Sequence, residues 1–107
     1  MTDAAATTPP LDPGLWGLLG QPDVMRRLAG AGAGWLCLDS QHGLFDRSAV
    51  AATLSALPAD GPPVAVRVSQ LDEAEIGHAL DAGARRVIVP LIDTVEQAER
   101  AVAAAAY

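Results

Sequence analysis

The segment Asp39-Ser40-Gln41-His42-Gly43 sets a carboxylate and an imidazole three residues apart in one polar stretch after an apolar run. At that spacing the carboxylate can steer the ring, fix its tautomer and raise its basicity, which makes a general acid or base near neutral pH. The plainer alternative is that Asp39 caps the N–H groups of a turn while His42 is merely solvated. Arg67 interrupts the otherwise apolar run Val64-Ala65-Val66-Arg67-Val68. A guanidinium there is costly unless paired, and its fork suits a carboxylate, either a ligand's or that of Asp39. Trp16 is either core or the wall of a pocket. His78, three residues before Asp81, reads as part of a solvated helical face. Cys37 reads as a small buried hydrophobe with nothing nearby to lower its pKa.

Composition removes several classes of chemistry. The chain has 107 residues, half of them hydrophobic, and a formal net charge of −6. That balance speaks against nucleic acid, whose phosphates need clustered Lys and Arg. All seven cationic side chains are Arg. Without Lys there is no Schiff-base nucleophile, hence no pyridoxal phosphate (PLP) held by one, and no P-loop. CxxC, HExxH, GxSxG and GxGxxG are absent. Gly30, Gly32 and Gly34 precede an apolar run instead of following one, so an NAD site fails on context. A single Cys, no signal-peptide pattern at the start and no long apolar stretch point to a reducing compartment, the cytoplasm, with no membrane segment.

The elements that must position Asp39, His42 and Arg67 follow from periodicity. Residues 1–13, with three prolines and no period, read as a flexible leader. From Gly14 a pattern recurs four times: an apolar run, a turn, then an amphipathic segment. The runs are 15–19 (weak, broken by Gly17), 35–38, 64–68 and 87–92, the last being the clearest strand. The first helix should begin at Pro22 and share Val24, Leu28 and Ala31 on its inner face. Asp46 and Asp72 are expected N-caps, and Thr94 with Gln97 a capping box. Val50, Thr53, Leu54 and Leu57 form one face of the second helix, and Ile76, Ala79 and Leu80 that of the third. Continuous apolar strands each followed by a helix predict an α/β fold with a parallel sheet. Repeats of about 20–30 residues suit a (β/α) barrel and a doubly wound sheet equally. In both, functional groups gather at the C-terminal ends of strands. Arg85 and Arg86, before the fourth run, would be at the wrong end.

The stretch LAGAGAGWLCLDSQHG and the segment PPVAVRVSQLDEAEIGHALDAGARRVIVPLIDTVEQAERAVAAAAY together resemble the front half of a known family. This is the metal-dependent class II pyruvate aldolases, the 4-hydroxy-2-oxoheptanedioate and 2-dehydro-3-deoxyglucarate aldolase group, related to the citrate lyase beta subunit. The resemblance runs from about Leu15 to Tyr107, in the family's order and spacing. It implies four βα units of a (β/α)₈ TIM barrel spanning residues 14–107, a half barrel with parallel strands.

It further implies an aldehyde-lyase that makes or breaks a carbon–carbon bond next to pyruvate or another 2-oxo acid, with an aldehyde as partner. A divalent cation, Mg²⁺ or Mn²⁺, would stabilise the enolate, which suits a chain without Lys. Arg67 would bind the pyruvate moiety, with Trp16 and Gln41 beside the substrate. His42, oriented by Asp39, would move the proton of the aldol hydroxyl. Departures from the family pattern are Gln41 for a common Glu, Gly34-Trp35 for Asp-Trp, and Arg86 for a usual glycine. The family's metal ligands lie on later strands beyond Tyr107, so this chain is expected to hold none and to be incomplete alone. Four units leave two open strand edges, which predicts a homo-oligomer or a missing second half. The rival function is a non-catalytic half-barrel module that binds a small carboxylate or assembles with another chain.

Overall fold

The structure, a computed structural model, describes residues 12–106. The leader expected over 1–13 therefore lies outside the described residues except for Asp12 and Pro13. Those two are tied down: the Gly34 N–H donates to the Pro13 carbonyl at 2.9 Å, and the Trp35 indole N–H donates to the Asp12 carbonyl at 2.9 Å.

Four strands alternate with four helices: β1 Gly14–Gly17, α1 Pro22–Ala29, β2 Trp35–Asp39, α2 Arg47–Ala56, β3 Val64–Arg67, α3 Glu73–Asp81, β4 Arg86–Ile88 and α4 Val95–Ala105. All strand pairs are parallel and the sheet order is β1-β2-β3-β4. This order resolves what periodicity left open. A doubly wound sheet reverses its strand order at a switch point, whereas here each unit steps on to the next neighbour, as successive units of a barrel do. The molecule is a four-unit partial barrel.

Helix starts follow local chemistry. Pro22 sits in the first turn of α1, where its missing N–H is no loss. Asp46 accepts the Ala49 N–H at 2.7 Å, and Asp72 accepts those of Ala74 and Glu75. Thr94 and Gln97 close the reciprocal capping box. Two expectations need correcting. The inner face of α1 is Met25, not Val24, which is exposed. The run 87–92 is not a long strand: β4 includes Arg86 and stops at Ile88. Pro90 offers no N–H to a ladder, and Leu91 takes a left-handed φ of 62°, so extended pairing cannot continue.

Side chains alternate between the two faces of the sheet. Leu36 and Leu38 register with Val64 and Val66. With Met25, Phe45, Val50 and Ile76 they form the buried core under the helices. Cys37 and Asp39 register with Ala65 and Arg67, and Trp16 registers with Cys37. These residues share the opposite, helix-free face. No helix among the described residues is long and apolar enough to cross a membrane.

Candidate functional site

Asp39 ends β2 and Arg67 ends β3, in register with each other. Asp39 is fully buried, and both of its oxygens are engaged. Oδ1 accepts from Arg67 Nε at 3.2 Å, from the Gln41 N–H at 2.9 Å and from the His42 N–H at 3.2 Å. Oδ2 accepts from Arg67 Nη2 at 2.5 Å and from the Trp16 indole N–H at 3.0 Å. The guanidinium of Arg67 also lies over the Trp16 ring, 5.2 Å from its centroid, within cation–π range. Residues from β1, β2 and β3 thus converge at the C-terminal rim of the helix-free face.

Burial on its own would push the Asp39 carboxyl up. The hydrogen bonds from Arg67, Trp16 and the Gln41 and His42 backbones outweigh it and hold the group well below the usual carboxylate range. Its hydrogen bond to Asp39 raises Arg67 above its ordinary value in turn. Arg67 is therefore a permanently charged donor, fixed along one edge. Two of its five N–H groups are taken by Asp39, and the rest have no partner among the described residues.

The structure redraws the expected dyad. Asp39 meets His42 through the backbone N–H, not the ring. The imidazole is exposed beside the site. The carboxylate cannot steer it because Arg67 and Trp16 already take the oxygens. Gln41 likewise reaches Asp39 through its N–H. What sequence reasoning had as alternatives, a capped turn and an Asp39–Arg67 ion pair, are both present. Gly43 makes the turn possible: a Cβ there would stand 2.3 Å from the Asp39 carbonyl oxygen.

Two other groups depart from expectation. His78 is half-buried, its Nε2 3.0 Å from the Arg47 carbonyl, so it donates from α3 to α2 and is not a solvated face. Glu75 was not singled out from the sequence, yet it accepts the Ser69 N–H at 2.7 Å and the Ser69 hydroxyl at 2.6 Å. This pins the loop that leaves β3 just after Arg67. The signal was legible, since Glu75 stands three residues after the N-cap Asp72, where carboxylates reach back along the chain. Cys37 is buried as expected, and burial pushes its thiol up to about 11.

The donors do not fit the divalent ion that the resemblance implies. Both oxygens of Asp39 face cationic or N–H donors, and both of Glu75 face Ser69. Among the described residues no three His, Cys, Asp or Glu side chains gather as ligands.

A profile described as "HpcH/HpaI aldolase/citrate lyase" matches residues 13–107. A 4-hydroxy-2-oxovalerate aldolase of Novosphingobium aromaticivorans is 38% identical over 105 residues, covering 97% of this chain and 40% of that protein. A hydroxypyruvate/pyruvate aldolase of Paraburkholderia phytofirmans is 42% identical over 94 residues, covering 88% of this chain and 35% of that protein. The crystal structure of a family protein from Burkholderia cenocepacia superposes with a TM-score of 0.77 at 38% identity, covering 85% of this chain and 36% of that one. The chain thus spans two fifths or less of the length of these relatives.

Proposed function

Since the chain belongs to the HpcH/HpaI aldolase/citrate lyase family, we propose that it carries the 2-oxo-acid-binding rim of a carbon–carbon lyase of the class II pyruvate aldolase type. One observation carries this reading. Arg67 is clamped along one edge by a buried carboxylate and leaves its remaining N–H groups free at a strand end. A donor fixed in advance costs little reorganisation when charge develops on a substrate oxygen.

In this reading the unpaired edge of Arg67 receives the carboxylate or 2-oxo oxygen of pyruvate, and the Trp16 ring walls one side. In cleavage, His42 takes the proton of the 4-hydroxyl as the C3–C4 bond breaks and the aldehyde leaves. The bonding pair becomes the pyruvate enolate, whose oxygen lies against Arg67. Protonation at carbon then gives pyruvate. Asp39 touches no substrate; it is a positioning residue for Arg67. The exposed His42 ring suits proton exchange with solvent. The aldehyde-selecting groups and any metal ligands are assigned to other residues, so turnover by these 107 residues alone is not expected.

One observation favours the second reading, a carboxylate-binding module without catalysis: Asp39 meets His42 only through the backbone N–H and leaves its exposed ring unsteered. Both readings require retention of a 2-oxo acid. The test is saturation-transfer NMR of the 107-residue chain with pyruvate, oxaloacetate and propanol. Both acids should show transfer, propanol none, and Arg67→Lys should lose most of the signal because it cannot fork. Equal transfer in wild type and Arg67→Lys would overturn the proposal. Pyruvate release from a 4-hydroxy-2-oxo acid with Mn²⁺, measured on this chain fused to the remaining part of a full-length aldolase relative, then separates the two readings.

A further inference from the structure

Along β3 the side chains of Val64, Val66 and Val68 enter the buried core under the helices, and Ala65 and Arg67 take the opposite face. The same alternation would return Ser69 to the face of Arg67, two residues on. It does not arrive there. The ladder ends just before it, with the Ser40 N–H on the Arg67 carbonyl at 2.8 Å and the Val68 N–H on the Ile88 carbonyl at 3.0 Å. Ser69 then turns into the helix layer, where its N–H donates to Glu75 Oε1 at 2.7 Å and its hydroxyl to Oε2 at 2.6 Å. With Val66, Val68 and Glu75 it lines a cleft of about 250 Å³ on that side of the sheet.

Glu75 is itself well anchored. Its N–H donates to the Asp72 cap at 3.2 Å, the next residue, Ile76, is fully buried, and His78 one turn on ties α3 to the Arg47 carbonyl. Among the described residues its carboxylate pairs with no cation; both oxygens serve Ser69. Hydrogen bonds to an ionised acceptor are the stronger kind, so two of them from a fixed helix hold the loop firmly. The consequence falls on Arg67. Asp39 takes one edge of its guanidinium from β2. A released Ser69 would be free to take the place that alternation assigns it, on the face of Arg67. Its hydroxyl oxygen, an acceptor, would then compete there for the N–H groups that Asp39 leaves open.

On the reading of Arg67 as the group that receives a 2-oxo acid, we infer that Glu75 is a positioning residue for that site: it draws Ser69 to the helix side, fixes the chain just after Arg67 and keeps the free edge of the guanidinium clear.

Variants at position 75 separate reach from charge. Glu75→Gln keeps the reach, its carbonyl accepting the Ser69 N–H and its NH₂ donating to the hydroxyl oxygen. Glu75→Asp keeps the charge but is one methylene too short, and Glu75→Ala keeps neither. Each is made in the ¹⁵N-labelled 107-residue chain, with circular dichroism checking the fold; where Glu75→Ala does not fold, Glu75→Asp takes its place. Without ligand, the Arg67 Nε–H resonance should keep its wild-type position in Glu75→Gln and move in Glu75→Asp and Glu75→Ala. In a pyruvate titration the same two should lose about fivefold in affinity, while Glu75→Gln stays near wild type. An effect of charge alone would reverse the order, impairing Gln and sparing Asp, and would overturn the inference. So would an unmoved Arg67 resonance with affinities within about twofold of wild type in all three. A wild-type chain that gives no response to pyruvate overturns the 2-oxo-acid reading instead, and the unliganded Arg67 resonance then decides the hold of Glu75 by itself.

Discussion

Arg67 grips Asp39 side-on across neighbouring strands, Nε on one carboxylate oxygen and Nη2 on the other, between residues 28 apart in the chain. The register Asp39↔Arg67 puts both at the same strand-end height. Trp16 closes the group, donating to the carboxylate while its ring lies beneath the guanidinium. A fork, an anion and an aromatic face from three strands make a unit in which each member fixes the others.

Removing the anion should be felt as stability. Asp39→Asn replaces a buried acceptor by a group whose NH₂ would face Arg67 or Trp16. It should lower the unfolding free energy by about 1–3 kcal/mol, read from urea titration. Arg67→Met made on top of Asp39→Asn should then cost less than Arg67→Met alone, because the interaction is already broken. Additive losses would show that the pair is not coupled.

The same contact sets an acid limb. Asp39 is held below its unfolded value of about 3.9. A carboxyl whose folded value is depressed stabilises the fold fully above the unfolded value. That contribution is lost as pH falls through the unfolded value towards the folded one. Wild-type stability should therefore decline from about pH 5 downward, and Asp39→Asn should decline less steeply over that range. Parallel curves would contradict the assignment.

Gly43 is a steric requirement. In Gly43→Ala the new methyl meets the Asp39 carbonyl backbone, which cannot swing aside as a side chain could. A loss of about 1–3 kcal/mol is expected, with the Gln41 and His42 N–H groups drawn away from Asp39. Their amide proton shifts are the specific readout.

Cys37 should be nearly inert. A thiol raised to about 11 has about a hundredfold less thiolate at pH 8 than an ordinary one. Labelling by a disulfide reagent should be that much slower in native buffer than in urea. Fast native labelling would mean that the helix-free face opens readily.

The sequence made much of this legible, for physical reasons. The caps at Asp46, Asp72 and Thr94 are local hydrogen-bonding devices, readable within four residues. The second and third helix faces follow from a 3.6-residue period. Arg67 stood out because a guanidinium in an apolar run must find a partner. Less legible was which partner Asp39 takes. Its nearness in sequence to His42 suggested a ring contact, but strand register delivers Arg67 and Trp16 from 28 and 23 residues away. Arg86 joined β4 and residues 89–92 left it because ladder pairing and a left-handed Leu91 decide there, not hydrophobicity. On α1, Met25 takes the core position expected of Val24, packing into the cluster with Leu28 beside it.

In the proposed function the free edge of an Asp39-held Arg67, beside Trp16, receives a 2-oxo acid. Its most direct test is a pyruvate titration of the ¹⁵N-labelled chain, following the Arg67 Nε–H and Trp16 indole N–H resonances. Both should shift together along one saturable curve, and Asp39→Asn should abolish that curve while the chain stays folded. Shifts confined to other residues, or none at these two at saturating pyruvate, would contradict the account.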